Sequence, residues 1–121
     1  MMKAIKSLIL SGLLTLLLCP LVFADGVPKL VDVGADQCIP CIKMAPILDA
    51  LKTEFAGQME VIFVDAWKNR EEAARYGVQM IPTQIFFAAD GQELFRHSGF
   101  YGREAILAKW RELGYTLESK P

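Results

Sequence analysis

From Lys29 onward, short apolar runs alternate with segments of helical periodicity, and this alternation constrains the fold most strongly. The run from Lys29 to Gly34 predicts a short buried strand. From about Pro40 to Phe55 the large apolar residues recur at helical spacing, and Pro46 inside this segment predicts a kink. The continuous apolar run within residues 60–65 predicts a central strand that is covered on both faces.

The next segment predicts a short helix. Asn69 is its expected N-cap, Glu72 stands three residues later as the capping-box partner, and Gly77 marks its end.

The last third of the chain predicts a hairpin and a closing helix. A strand from Thr83 to Ala89 meets the turn signal Asp90-Gly91, and residues 93–98 return as the partner strand. A helix from about Arg103 to Leu113 would bury Trp110. The order β-α-β-α-β-β-α predicts an α/β fold, a mixed four-stranded sheet with helices on both faces. A chain of 121 residues is long enough for one such domain and not for two.

Residues 1–24 have the features of a secretory signal peptide. Lys3 and Lys6 precede an apolar core, and small or β-branched residues before Asp25 predict cleavage there, which leaves a domain of residues 25–121. An uncleaved membrane anchor is the alternative, because the uncharged stretch 7–24 can just span a bilayer. Both alternatives place the domain outside the cytoplasm, and in a bacterium this is the periplasm or beyond.

A third alternative for the leader is a lipoprotein anchored at Cys19, but Leu18 and Pro20 fit the lipidation motif poorly. Cleavage before Asp25 would remove two lysines and leave 11 basic and 14 acidic residues, a net charge of −3. No basic patch remains, so a nucleic acid is not an expected partner.

Cys38-Ile39-Pro40-Cys41 lies between the first predicted strand and the long predicted helix. The free backbone N–H groups and the dipole at a helix N-terminus favour an anion, so they stabilise a Cys38 thiolate. Cys41, one turn further on, can close a small disulfide ring, and Pro40 suits a helix start because it has no N–H to lose. Two cysteines at this spacing and junction predict a redox-active pair in which Cys38 attacks and Cys41 resolves.

Two other interpretations of the cysteine pair are a structural disulfide and a metal site. So short a loop would add little stability through chain entropy. Zinc usually takes four ligands, and beyond this pair the domain offers only the lone His97, which is expected to be a surface strand residue. We therefore expect neither a metal nor a cofactor.

From Lys29 to Leu113 the sequence resembles the thioredoxin family. Cys38-Ile39-Pro40-Cys41 keeps the family's proline before the second cysteine, and Pro46 lies where the family's active-site helix is kinked. Met80-Ile81-Pro82-Thr83 is similar to the family's loop with a cis-proline, and Gly99 stands where the family has a glycine near the substrate groove.

The resemblance implies roles for individual residues. Pro82 would be cis and face the disulfide, and the backbone of Ile81 would pair with an extended substrate, with Thr83 and Gly99 completing the substrate-binding surface. Asp32, six residues before Cys38, would be buried behind Cys41 rather than solvated at a strand end. Burial would raise its pKa and let it exchange a proton with Cys41.

The chain also departs from the family pattern. Gln37 and Gly34 replace two tryptophans, and Val61 stands where a basic residue often accompanies the buried aspartate. The mature chain would begin too late to contain the family's first strand and helix. Because Gln37 and Ile39 alter the surroundings of Cys38, the reduction potential and the direction of electron flow stay open.

The predicted activity is reduction of protein disulfides at Cys38 and Cys41 by dithiol–disulfide exchange, without a cofactor. The resemblance suggests a membrane electron donor of the cytochrome c-maturation type, apocytochrome c or other exported thiol proteins as substrates, and a monomer. A disulfide oxidant or isomerase is the alternative among enzymes. A redox-inactive adaptor or a metal-thiolate carrier is the alternative among binding proteins.

Overall fold

A computed structural model describes residues 26–121, so the predictions for residues 1–24, for Cys19 and for cleavage before Asp25 concern residues outside the described part. The described chain forms four strands and three helices in the predicted order. The elements are β1 (Lys29–Gly34), α1 (Ile39–Glu54), β2 (Glu60–Asp65), α2 (Arg70–Arg75), β3 (Thr83–Phe87), β4 (Glu93–Ser98) and α3 (Arg103–Glu112).

The four strands form one mixed sheet in the order β2-β1-β3-β4, so β2 lies at an edge and the prediction of a central strand at residues 60–65 is wrong. Phe63 of β2 is 47% exposed, so this strand is not covered on both faces. β1 runs parallel to β2 and antiparallel to β3, and β3 and β4 form the predicted hairpin. The carboxyl ends of β1, β2 and β4 therefore lie beside the amino end of β3. The expectation of a thioredoxin-like fold without the family's first strand and helix agrees with residues 26–121.

Alternating side chains divide the core between the two faces of the sheet. On one face, Leu30 and Phe86 pack with residues of α1 and with Trp110 of α3, which is fully buried as predicted. On the other face, Val31, Val33 and Ile85 pack with Ala73 of α2. The helices thus cover both faces, and α1 lies on the same face as α3.

The start of α2 differs from the prediction, whereas its end agrees with it. Asn69 is the N-cap of α2, but the predicted capping box is wrong in its hydrogen bonds. The Asn69 side chain accepts no bond from the backbone and instead donates through Nδ2 to Glu72 Oε2 at 2.6 Å. Gly77, at φ +63°, ends that segment in the left-handed region that favours glycine.

No helix within residues 26–121 is both long enough and apolar enough to cross a membrane.

Candidate redox site

The two cysteines lie where β1 passes into α1. Cys38 is the N-cap of α1, with an extended backbone at φ −80° and ψ 120°, and Pro40 lies in the first turn. Cys38 and Cys41 form a disulfide. Cys38 is half-buried, whereas only 4% of Cys41 is exposed. The pair is therefore asymmetric, since Cys38 can be approached from solvent and Cys41 is covered by the protein.

The start of α1 carries no charge that competes with a thiolate at Cys38. Its first turn contains no acidic residue, and no side chain caps it. The Cys38 carbonyl accepts the first hydrogen bond of the helix, from the Ile42 N–H at 2.9 Å. The N–H groups of the first turn, together with the helix dipole, therefore favour the ionised form of the Cys38 sulfur in the reduced protein.

Asp32 is fully buried in β1, on the face that α1 covers. Burial raises the pKa of its carboxyl group to about 6, although a hydrogen bond from Gln84 acts in the opposite direction. Oδ1 accepts that bond at 2.9 Å, and Oδ2 has no hydrogen-bond partner among residues 26–121. A carboxyl group with this pKa exchanges a proton readily near neutral pH.

Gly34 separates Asp32 from Cys41. A Cβ placed on Gly34 would stand 3.2 Å from Cys41 Sγ and 3.4 Å from Asp32 Oδ2, so both atoms border the same small space. The Phe63 ring of β2 closes the third side at 3.2 Å. Because Gly34 has no side chain, no Cβ fills the space that the Asp32 carboxyl group and the inner cysteine both border.

A groove beside this space reaches Cys41 from the solvent. It has a volume of about 380 Å³, its walls include Ile42, Leu48 and Phe63, and Asp36 lies at its rim. Asp36 forms an ion pair with Lys68, and both side chains are mostly exposed. Cys41 is therefore not completely enclosed, although its exposed fraction is small.

The loop before β3 lies at the same end of the sheet. The register pairs Thr83 with Val33, which places Pro82 beside the carboxyl end of β1. The peptide bond between Ile81 and Pro82 is cis. The N–H of Gly99 donates to the Pro82 carbonyl at 2.7 Å, and Gly99 has a φ of +98°, in the left-handed region. This bond fixes the loop before β3 against the end of β4.

Thr83 is buried at the base of the same loop. Its hydroxyl donates to the Met80 carbonyl at 2.6 Å and lies 3.2 Å from the Ser98 hydroxyl. These contacts fix the backbone on either side of Ile81 and Pro82. The four predicted substrate-binding residues therefore belong to one connected structure, and substrate binding itself stays a prediction.

Gln84 and His97 belong to the site, and sequence reasoning missed both. His97 Nδ1 lies 3.1 Å from Gln84 Oε1, and Gln84 in turn bonds Asp32. His97 lies on the edge strand β4 as predicted, but its ring is only partly exposed and stacks on Tyr101 with 4.0 Å between the ring centroids. The sequence did contain one indication, because Gln84 is a polar residue next to the apolar run that ends at Phe87.

Two further observations bear on the remaining candidates. The Trp67 side chain, just after β2, is 55% exposed and does not belong to the core. Among residues 26–121, no three His, Cys, Asp or Glu side chains are arranged to hold a metal ion.

The sequence is similar to those of known proteins. The sequence model of the family described as Thioredoxin matches residues 22–112. A thioredoxin of Staphylococcus aureus is 38% identical over 78 residues, which cover 64% of this chain and 74% of the relative.

Solved structures show the same fold. The germline-specific thioredoxin Deadhead of Drosophila melanogaster superposes with a TM-score of 0.64 at 24% identity, over 74% of this chain and 84% of that one. Thioredoxin-2 of a malaria parasite superposes with a TM-score of 0.66 at 21% identity, over 72% of this chain and 84% of that one.

Proposed function

This chain belongs to the thioredoxin family, and from that premise we propose that it is an exported protein-disulfide reductase. The family and the Cys38–Cys41 disulfide make it a thiol–disulfide oxidoreductase. The reducing direction and the export are the proposal. The observation that carries the mechanism is the asymmetry of the pair, with Cys38 approachable and Cys41 buried beside the Asp32 carboxyl group.

The reaction begins with the reduced protein. The Cys38 thiolate attacks one sulfur of a substrate disulfide, the substrate S–S bond breaks, and the departing substrate sulfur takes a proton. Cys38 and the substrate are then joined by a mixed disulfide. Cys41 gives its proton to the ionised Asp32 and attacks Cys38 Sγ. The mixed disulfide breaks, the second substrate sulfur leaves and is protonated, and two electrons have passed to the substrate.

The oxidised protein must be reduced before it can react again. We propose that a dithiol protein supplies both electrons by the reverse exchange. In the exported setting the donor would be a membrane carrier of the cytochrome c-maturation type, and the substrates would be apocytochrome c or other exported thiol proteins. This part rests on family analogy alone.

The substrate would dock at the end of the sheet that holds the disulfide. Exposed large apolar side chains adjoin the site there, because Ile39 follows Cys38, Met80 precedes Ile81 and Phe100 follows Gly99. An extended substrate segment would pair with the backbone of Ile81 while its side chains contact these residues. Backbone pairing of this kind accepts many sequences, which suits a reductase with several protein substrates.

Two features favour reduction over oxidation. The residues between the cysteines are Ile39 and Pro40, and there is no histidine of the kind that would favour an oxidant. Asp32 provides a proton acceptor for Cys41, which makes Cys41 a better attacking group when it resolves the mixed disulfide.

The reduction potential of the Cys38–Cys41 pair decides the direction. We expect a value near that of thioredoxin, about −270 mV, whereas a value near about −120 mV would identify an oxidant. The protein should also catalyse the reduction of insulin by dithiothreitol. Cys38→Ser should abolish turnover, and Cys41→Ser should accumulate mixed disulfides with the substrate. Tightly bound metal in the reduced protein, without dithiol turnover, would contradict the proposal in favour of a binding protein.

Export requires a separate experiment. The full chain should be expressed in a bacterium and the cells fractionated. We expect periplasmic protein whose first residue, by mass spectrometry, is Asp25. Full-length protein in the membrane fraction would replace the signal peptide with the anchor, and full-length protein in the cytoplasm would overturn the export proposal.

A further inference from the structure

A row of polar side chains crosses the sheet on the face that α1 and α3 cover. Asp32 of β1 is the register partner of Gln84 of β3, and Gln84 is the register partner of His97 of β4. We refer to these three residues as the polar row. Asp32 and Gln84 are both fully buried. Polar groups at such depth cost stability unless hydrogen bonds satisfy them, so their bonds define how each side chain can be oriented.

Asp32 sets the orientation of the Gln84 amide, and His97 can bond the amide in that same orientation. An ionised Asp32 offers only acceptors, so Gln84 must turn its NH₂ group toward Asp32, and Nε2 does donate to Oδ1 at 2.9 Å. Gln84 Oε1 then faces His97 Nδ1 at 3.1 Å. A carboxamide oxygen can only accept, so His97 Nδ1 is the donor in this bond. With Asp32 ionised, a flipped amide would lose the bond to Asp32, and His97 could keep its own bond only in the other tautomer.

The histidine is itself held in place. Its ring stacks on Tyr101 with an angle of 16° between the planes. The backbone N–H of Tyr101 donates to the sulfur of Met44 in α1 at 3.4 Å, and Met44 is buried. The outer end of the polar row is therefore tied to the helix that carries Cys41.

The effect of these contacts is to distinguish the two oxygens of Asp32. Oδ1 accepts the bond from Gln84, whereas Oδ2 has no partner in the described part of the chain and borders the space at Gly34 that Cys41 Sγ also borders. We propose that Gln84 and His97 are positioning residues for thiol–disulfide exchange. Gln84 holds Asp32 with Oδ2 free for the Cys41 proton, and His97 holds the Gln84 amide in the orientation this requires.

This inference rests on the proposed function in one respect, since it takes Asp32 to be the acceptor of the Cys41 proton. Apart from burial, Gln84 is the group around Asp32 that shifts its pKa. β2 contributes the uncharged Phe63, α1 contributes Cys41, and β4 contributes His97 through Gln84. The Gln84 bond lowers the pKa of Asp32 against the effect of burial. Removing the donor must therefore raise the pH at which Asp32 ionises.

The test is a titration of the Asp32 carboxyl carbon by ¹³C NMR in the reduced protein, together with the pH profile of mixed-disulfide resolution. Gln84→Met keeps the length of the side chain and removes its donor and acceptor. We expect it to raise the midpoint of Asp32 by about one to two pH units, the size of a hydrogen bond to a charged group. The pH dependence of resolution should move in the same direction.

His97→Phe isolates the second positioning residue. Phenylalanine can keep the stack on Tyr101 and lacks the Nδ1–H donor, so the Gln84 amide loses one of the two bonds that hold it. We expect a smaller upward shift of the Asp32 midpoint than in Gln84→Met. Because residue 97 is only half-buried, we expect His97→Phe to fold. It therefore tests the proposal even if Gln84→Met does not fold. Gln58→Met makes the same chemical change far from the site, where the amide bonds the backbone of Glu118, and should leave the midpoint unchanged.

An Asp32 midpoint that is the same in folded Gln84→Met as in the parent would overturn the role of Gln84. A midpoint unmoved by His97→Phe would overturn the role of His97. The outcome is separable from the proposed function, because the titration needs no substrate. Absence of insulin reduction by the parent protein would contradict the proposed function, and the same NMR titration would still decide whether Gln84 controls Asp32.

Discussion

Two neighbouring rows on one sheet face differ in what they contribute. The polar row lies two residues along the strands from an apolar row of successive register partners, Leu30, Phe86 and Phe95. Phe86 packs on Phe95 at 5.5 Å and on Trp110 at 4.8 Å between ring centroids. The apolar row uses burial for stability. The polar row uses the same burial to change the chemistry of a carboxyl group, and this costs stability.

The comparison shows why the site lies at one end of the sheet rather than in its middle. The apolar row continues into the cluster formed with α1 and α3, whose central residues are buried. The polar row is the last complete row before the cysteine loop, so a buried proton acceptor there can still face Cys41. A carboxyl group two residues earlier in β1, at the position of Leu30, would lie deep in the core and away from Cys41.

The largest effect is expected in the apolar row. Phe86→Ala should lower the free energy of unfolding of the oxidised protein by about 3–5 kcal/mol, because it removes a fully buried ring and leaves a cavity. Urea unfolding measures the change. Phe87→Ala is the matched control, since Phe87 lies on the other face and is only half-buried. If both variants lose equal stability, burial in the apolar row is not the cause.

The apolar row was predictable from the sequence, and the polar row was not. Apolar periodicity placed Leu30 and Phe86 in strands and Trp110 in the core. Asp32 was found only through the family resemblance, and Gln84 and His97 were missed. Their contact depends on the cross-strand register of β1, β3 and β4, and a strand pattern does not determine which residues stand opposite each other. The capping box at Asn69 failed for a related reason, because side-chain hydrogen bonds depend on rotamers.

The second prediction concerns the cost of the polar row. The pKa of Asp32 is about 6 in the folded protein against an ordinary value of 3.8. Between these values the folded protein retains a proton that the unfolded chain has released. The free energy of unfolding therefore falls as the pH rises through this range, and above it the loss is complete.

Asp32→Asn removes that loss. We expect the oxidised variant to be more stable than the parent by about 3 kcal/mol at pH 8 and about equally stable at pH 3. Urea unfolding at the two pH values measures the difference, and Asp49→Asn on the exposed side of α1 is the matched control. The same Asp32 variant should slow mixed-disulfide resolution near neutral pH. Resolution rates equal to those of the parent from about pH 6 to 9 would remove Asp32 from the mechanism.

The third prediction concerns the space between the polar row and Cys41. Gly34→Ala would place a methyl group 3.2 Å from both Cys41 Sγ and the Phe63 ring, which is tighter than ordinary contact. We expect a loss of about 1–3 kcal/mol in urea unfolding, typical of overpacking, and slower resolution. In Gly102→Ala the new Cβ would meet its nearest neighbour only at 3.7 Å, so its loss should be smaller. A Gly34 variant as stable as the parent would mean that the Phe63 ring moves aside without cost.

The smallest effect is expected at the outer end of the apolar row. Lys109 Nζ lies 4.1 Å from the centre of the Phe95 ring and pairs with Glu112, whose side chain is mostly exposed. Lys109→Met keeps the apolar stem and removes the charge, so we expect a loss of about 0.5–1 kcal/mol in urea unfolding. Lys43→Met on the exposed surface of α1 is the control. The rate of insulin reduction should not change, because the apolar row acts on stability alone. A Lys109→Met variant that reduces insulin more slowly than the parent would mean that the two rows are not functionally distinct.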